Sequence, residues 1–394
     1  MELIKDMPII SFVFWMSLGI PLYVYAGFPL LVIAVGKLFD RKVKKKPITP
    51  TISLIIAAYN EEKVIAERLE NALMLDYPSE ALEIIVASDG SDDTTAALVA
   101  SYSERGVYLL DLPRRGKIHA LNAAVTHATG EILVFSDANT LYDVHALRNL
   151  ARNFADPTVG GVAGRKLYTL QTGSDSSSQG EHLYWSYDTW LKRMESLSGS
   201  IVSADGAIYA IRRDLYRLPT DSAVTDDFTL STAVIEQGYR LVFDSEACAH
   251  EMILSDADRE FWRKVRLMTR GLRGVILRRR LLNPLKFGFY AVILFSHKIL
   301  RRLVPVFLLL MFATSALASL NGTIYMSAAL IQILFYSLAY AGFVLRRTLT
   351  GRKKWFYIPF FYCLSNTASL LAVINTIRGK HIYLWEPQRH GVKS

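Results

Sequence analysis

The sequence predicts an α/β domain on a mostly parallel sheet, joined to a set of α-helical transmembrane segments. Three observations carry this reading. Long apolar runs near both ends hold no charged residue. The polar middle alternates short apolar runs with stretches of helical periodicity. Acid-rich turns recur where the short runs stop.

Met7 to Gly36 holds no charge, nor does Leu303 to Leu345, nor Trp355 to Ile377. A bilayer span needs roughly 20 apolar residues. The first run is therefore one span, and the last is one more. The second is too long for one and breaks at Asn321-Gly322, so it reads as two. Buried core helices also give apolar runs, but these are too long and too poor in charge. The first run also exceeds the apolar core of a cleaved signal, roughly 7–15 residues, and no small-x-small site follows it.

A basic cluster follows instead, from Lys37 to Lys46. Loops rich in Lys and Arg stay in the cytoplasm. Hence the N-terminus points outward and the polar middle is cytosolic, in a multi-pass protein of the plasma (inner) membrane. The cluster accounts for much of the net charge of +9 over 394 residues. Abutting a span, it reads as a topology anchor on anionic lipid rather than a nucleic-acid patch. Membrane lipid is an expected partner, and nucleic acid is not. Two cysteines, Cys248 and Cys363, give neither a disulfide framework nor a metal-ligand spacing.

Residues 281–302 hold a short apolar stretch flanked by Lys286, Lys298, Arg301 and Arg302. Too short to span, it suggests an interfacial helix. The expected organisation is a first span and basic linker at 1–47, a cytosolic domain at 48–280, the interfacial helix at 281–302, and further spans with a basic tail at 303–394. Counting spans puts the tail outside. Its basic, aromatic composition favours the cytosolic side, which holds if the last run, interrupted by Pro359, enters without crossing.

Within the domain, Thr51 to Ala58 is almost continuously apolar, as in a parallel strand covered on both faces. Glu61 to Leu75 then has Val64, Ile65, Leu69 and Ala72 at helical spacing. "LEIIVASDGSDDTT", at 82–95, repeats strand, polar turn and helix; "GVYLLDL" and "EILVFSDAN" supply two more strands. Such alternation gives a parallel sheet with right-handed crossovers. Ligands of these sheets bind outside the C-terminal strand ends. Tyr59-Asn60-Glu61, Asp89 to Asp93 and Asp137-Ala138-Asn139 all fall there. Helix capping explains Ser91 and Asn139 but not three acid-rich turns on one rim. A metal-bound or nucleotide ligand would. The Ser-rich patch 173–180 reads as a mobile loop, leading into "EHLYWSYDTW", whose aromatics suit a lid over a sugar.

In the order of these motifs the chain resembles the family 2 glycosyltransferases, whose domain has the Rossmann-like GT-A fold. The resemblance covers about residues 50–275, and the flanking spans look like those of the membrane-bound synthase branch. It implies that "AAYNEE" is the first nucleotide-contacting turn, with Ala58, Tyr59, Asn60 and Glu61. Asp89 of "SDGSDDTT" then reads the uracil edge. "GKIHALNAA" supplies Asn122 and places Lys117 near the diphosphate. "SDAN" stands at the DxD position, giving Asp137 and Asn139 as metal ligands, with Asp137 also on the nucleotide-sugar. "SADGAIYAIRR" shapes the acceptor pocket through Asp205 and Gly206. Asp227 of "TDDFTLSTAVIEQGYRLVFD" is the catalytic base, with Asp226 structural beside it.

The chemistry agrees with these roles. A nucleotide-diphosphate leaving group gains negative charge as the sugar departs, and a divalent cation neutralises it. Oxygen ligands suit Mg²⁺ or Mn²⁺. Asp89 is an acceptor for a base N–H, and Asp227 takes a hydroxyl proton. The bland alternatives are a solvated charge for Lys117 and a helix N-cap for Asp227; Asp93 reads as a helix N-terminal acid. Two departures stand out. Asn139 brings an amide where DxD has a second acid. Processive synthases carry Gln-x-x-Arg-Trp, whereas "RKVRLMTRG" keeps only the Arg, at Arg266, and has Leu267 for Trp. Arg266 and Arg270 belong to a basic run that suits an acceptor diphosphate, or simply a membrane surface.

The expected activity is inverting transfer of a hexosyl or N-acetylhexosaminyl group from a UDP-sugar to a lipid-linked or polysaccharide acceptor, in cell-envelope or exopolysaccharide synthesis. Inversion follows from the resemblance alone. The alternatives are a processive exopolysaccharide synthase and, from another class, a transporter with a degenerate cytosolic domain.

Overall fold

The structure is a computed structural model that describes residues 8–169, 176–218, 224–252 and 257–380. The chain forms two compact units, one built on residues 36–169 and 192–252, the other on segments before 36, between 170 and 191, and from 253 to 380.

The first unit is built on an eight-stranded sheet. Its strands are β1 (Ile52–Ala58), β2 (Leu82–Asp89), β3 (Val107–Leu112), β4 (Ile132–Asp137), β5 (Thr140–Tyr142), β6 (Val159–Thr169), β7 (Tyr209–Arg212) and β8 (Arg240–Met252). They lie in the order β3-β2-β1-β4-β7-β6-β8-β5. The β3-β2-β1-β4 half is parallel throughout, as the alternation predicts. The other half is mixed: β7 runs antiparallel to β4 and β6, β6 parallel to β8, and β5 antiparallel to β8.

Every residue of β1 is buried, because helices cover both faces of a parallel sheet. The Ile65–Leu73 helix buries Ile65, Leu69 and Ala72, the periodic positions of the sequence. The Lys117–His127 helix likewise buries Ile118, Ala120, Leu121 and Ala124. Register then fixes the rim. Ala58 pairs with Ser88, and Ala57 pairs with Asp137. The turns after β1, β2 and β4 therefore open at one level.

The second unit is helical. Among the described residues, four helices are long and apolar enough to cross a membrane: Pro8–Phe39, Phe289–Leu317, Thr323–Val344 and Lys354–Ile377. The chain is thus built as a membrane protein. The break between the middle two is a 3-10 turn at Ser319–Asn321, where Asn321-Gly322 predicts it. Segment 281–302 is not a separate element. It begins in a 3-10 turn and a short helix at Pro284–Phe287, then runs through a π turn at Phe295–Leu300 into the Arg301–Leu317 helix. The apolar stretch looked short only because Lys298, Arg301 and Arg302 interrupt it. Pro359 does not end the last helix, which continues over 24 residues. As the sixth residue of the helix, Pro359 costs one backbone bond, to the Trp355 carbonyl, and the helix continues past it. Within this unit the Lys354–Ile377 helix packs on Thr323–Val344, Arg301–Leu317 and the polar Ala257–Leu277 helix.

The expected loop at 173–180 is partly helical, since a helix runs Ser176–Ser198. Residues 170–175 and the tail from 381 lie outside the described residues.

Candidate active site

Two turns are laced together at the rim. Asn60 has φ +54°, a left-handed conformation that Asn tolerates. Its side chain donates to the Asp92 carboxylate, and its amide oxygen accepts the Asp92 N–H at 2.8 Å. Glu61 N–H donates to Thr95 Oγ1 at 2.8 Å. Asp93 accepts the Thr95 N–H at 2.9 Å, the helix-start role its position predicts. Asn60 therefore holds the turn after β1, with its side-chain amide committed to Asp92.

Asp89 ends β2 with 1% exposure. Its Oδ1 accepts N–H from Arg115 at 2.8 Å and Gly116 at 2.9 Å, and its Oδ2 accepts from Gly116 and from Arg114 Nη1. Gly116 has φ +98°, a value that favours glycine, and the next helix starts at Lys117.

Lys117 is the centre of the charged cluster. Its Nζ lies 2.6 Å from Asp137 Oδ1 and 3.0 Å from Asp226 Oδ2. Burial works against its charge, but Asp137 and Asp226 outweigh burial and hold the ammonium protonated. Gly206 meets this cluster from the segment before β7: a Cβ there would lie 3.5 Å from Asp137 Oδ2 and 3.8 Å from Lys117 Nζ. Asp226 and Asp227 open the Asp226–Glu236 helix, where the dipole favours carboxylates. Asp227 Oδ1 accepts the Phe228 N–H at 2.7 Å. On the far side, Glu251 of β8 pairs with Lys166, and the Asn139 amide donates to it at 3.5 Å. The buried Tyr209 ring stacks on Phe135 at 4.9 Å.

Residues 53–218 match the family described as Glycosyl transferase family 2. They are a family 2 glycosyltransferase domain. A poly-beta-1,6-N-acetyl-D-glucosamine synthase of Staphylococcus aureus (strain COL) is 29% identical over 234 residues, 58% of this chain and 56% of that protein. The like-named protein of Staphylococcus epidermidis is 26% identical over 263 residues, 62% of this chain and 63% of that one. The chain thus spans little more than half the length of these relatives. A mannosyltransferase from Pyrobaculum calidifontis, solved with GDP-Man and Mn²⁺, has a TM-score of 0.72 at 24% identity, covering 94% of this chain and 100% of that one. The fold of the glycosyltransferase domain is GT-A.

The domain brings Ala58, Tyr59, Asn60, Glu61, Asp89, Lys117 and Asp137 to one rim, with Gly206 beside them. Asn122 accepts a hydrogen bond from Tyr216 Oη at 2.5 Å. Asp205 pairs with Lys192 at 3.2 Å. Arg266 and Arg270 sit on the Ala257–Leu277 helix of the helical unit. Sequence reasoning ranked Asp226 as structural; together with Asp137 it pairs with Lys117. It missed Arg114, Lys166 and Glu251. The doubled arginine before Gly116 was a usable signal; Glu251, at the end of a long strand, gave none.

Among the described residues, no cluster of three or more His, Cys, Asp or Glu side chains could hold a metal ion alone. Part of a site is present. Asp137 and Asn139 offer hard oxygen donors, and the acids exceed the cations: Asp137, Asp226 and Glu251 against Lys117 and Lys166. Burial pushes the proton affinity of Asp137 up; Lys117 opposes this, while Asp226 and Glu251 add to it. A divalent cation completed by a diphosphate would relieve that excess.

Proposed function

We propose that the chain is an inverting membrane glycosyltransferase that moves a sugar from a UDP-sugar to a lipid-linked or polysaccharide acceptor. The Lys117–Asp137–Asp226 cluster at the C-terminal rim of the parallel strands is the observation that carries it. Lys117 begins a helix, so its ammonium and the helix dipole suit a diphosphate. Asp137 and Asn139 would hold Mg²⁺ or Mn²⁺, which supplies charge neutralisation for the leaving group. Asp89 takes the N–H edge of the base. Asp227 accepts the acceptor hydroxyl proton as its oxygen bonds the anomeric carbon, and the sugar–phosphate bond breaks on the opposite face. Within the domain, Asp205 and Gly206 are assigned to the acceptor; on the helical unit, Arg266 and Arg270 suit an acceptor diphosphate.

Polysaccharide synthesis is favoured by the names of the staphylococcal relatives, and membrane attachment by the four apolar helices. The basic segment after Phe39 and the basic residues between Leu345 and Trp355 support a domain on the cytoplasmic face of the plasma membrane. A GDP-sugar donor is a second reading. The Pyrobaculum calidifontis enzyme, similar in fold, was solved with GDP-Man.

Nucleotide release by the purified full-length chain, across UDP- and GDP-sugars with Mn²⁺, tests the proposal. Release from at least one donor is expected. A silent panel with no nucleotide binding would favour a degenerate domain.

A further inference from the structure

We infer that Arg114 occupies the nucleobase slot of the free enzyme, so that a donor enters by displacing it. The inference rests on the reading of Asp89 and Tyr59 as the base-binding pair. The Arg114 guanidinium carbon lies 3.4 Å above the centre of the Tyr59 ring, the group expected to touch a nucleotide. Its Nη1 pairs with Asp89 Oδ2, on the carboxylate expected to read a base edge. A guanidinium is flat and offers N–H groups along its edge, as a nucleobase does. One side chain of this protein thus makes both contacts assigned to the donor's base.

The surroundings suit an occupant that leaves. Asp89 is 2% exposed in this pair, whereas Arg114 keeps 25% of its side-chain surface in solvent. Asp89 does not depend on Arg114 for its orientation, because Arg115 and Gly116 hold it through backbone N–H groups. When Arg114 swings out, Oδ2 retains the Gly116 bond and regains room for a base N–H. The backbone of Arg114 stays anchored over Gly90, which has φ +65° and where a Cβ would lie 2.5 Å from the Arg114 nitrogen. Only the side chain needs to move. Arg114 also shields a buried carboxylate from standing without a cation before the donor arrives.

A site occupied by its own side chain binds ligand more weakly, by the fraction of time it stands open. Removing Arg114 should therefore tighten binding. Isothermal titration of the detergent-solubilised full-length protein with UDP and Mn²⁺, and in parallel with GDP, tests this. Arg114→Ala is expected to bind the accepted nucleotide about five- to tenfold more tightly than the parent. Arg114→Gln, a milder change that keeps a donor toward Asp89, should move the same way. If both variants bind no tighter than a parent that binds well, Arg114 is not an occupant of the slot, and the donor-site reading stands. If parent and variants all bind neither nucleotide, the donor-site reading falls and the inference with it.

Discussion

Asp137 stands where a buried strand surfaces because it has partners on three sides: Lys117, the Asp226 helix and the Gly206 segment. Burial and neighbouring acids raise its proton affinity. Its carboxylate therefore takes a proton at a higher pH than an ordinary aspartate, and Mn²⁺ binding in the presence of UDP should weaken correspondingly early on acidification. Titration of Mn²⁺ by electron paramagnetic resonance across mildly acid pH checks this; constant affinity down to the ordinary aspartate range would contradict it. Asp137→Ala should lose Mn²⁺ binding and turnover while staying folded, and Asn139→Asp should bind Mn²⁺ more tightly. At this scale the sequence showed which residues reach the rim. It did not show their partners, because Asp226 against Lys117 and Glu251 near Asn139 depend on how distant segments meet.

The Ile65–Leu73 helix carries a second buried cation. Arg68 is fully buried, donating to Asn71 at 3.0 Å and Ser136 at 3.2 Å, with its guanidinium 4.6 Å from the Tyr142 ring centre. Burial lowers its pKa to about 10, so it remains charged at neutral pH. It ties this helix to the strand that ends in Asp137. Arg68→Ala leaves a cavity and breaks those bonds, at a cost of about 3 kcal/mol. Arg68→Met fills most of the volume and should lose less, which thermal unfolding in detergent would show. Position 68 shares the inward face of Ile65, Leu69 and Ala72 by helical spacing, but an arginine there gave no sign of its burial.

The Ala257–Leu277 helix gives a pH-dependent counterpart. Burial raises the proton affinity of Glu260, but Arg263 at 2.7 Å and Lys264 at 3.1 Å overcome it and set its pKa at about 2. A depressed folded pKa stabilises above the unfolded value and is lost as pH falls through the folded one. The window runs from about pH 4.5 down to about pH 2 and is worth on the order of 3 kcal/mol. Acid titration of stability should show this loss in the parent and not in Glu260→Gln; identical curves would exclude it.

At the scale of the whole molecule, charge-free runs made the four spans readable, since a bilayer imposes length and composition directly. The parallel half of the sheet was equally readable from its unbroken apolar strands. The mixed half was not, because β6, β7 and β8 gain their partners from across the chain. The proposed topology has four crossings, with the basic residues between Leu345 and Trp355 on the cytoplasmic side. In a background without Cys248 and Cys363, a cysteine at Asn321 should react with an impermeant reagent in intact cells, and one at Thr350 should not. The reverse pattern would invert the topology.

Sugar transfer itself is tested most directly by comparing the parent with Asp227→Asn and Asp226→Asn, using an accepted donor, Mn²⁺ and a lipid-linked or polysaccharide acceptor. Asp227→Asn is predicted to bind UDP and metal normally yet transfer at least roughly 100-fold more slowly, the scale of a lost general base. Asp226→Asn, which loosens Lys117, should be milder. Near-normal transfer by Asp227→Asn beside a dead Asp226→Asn would contradict the assignment and move the base to Asp226.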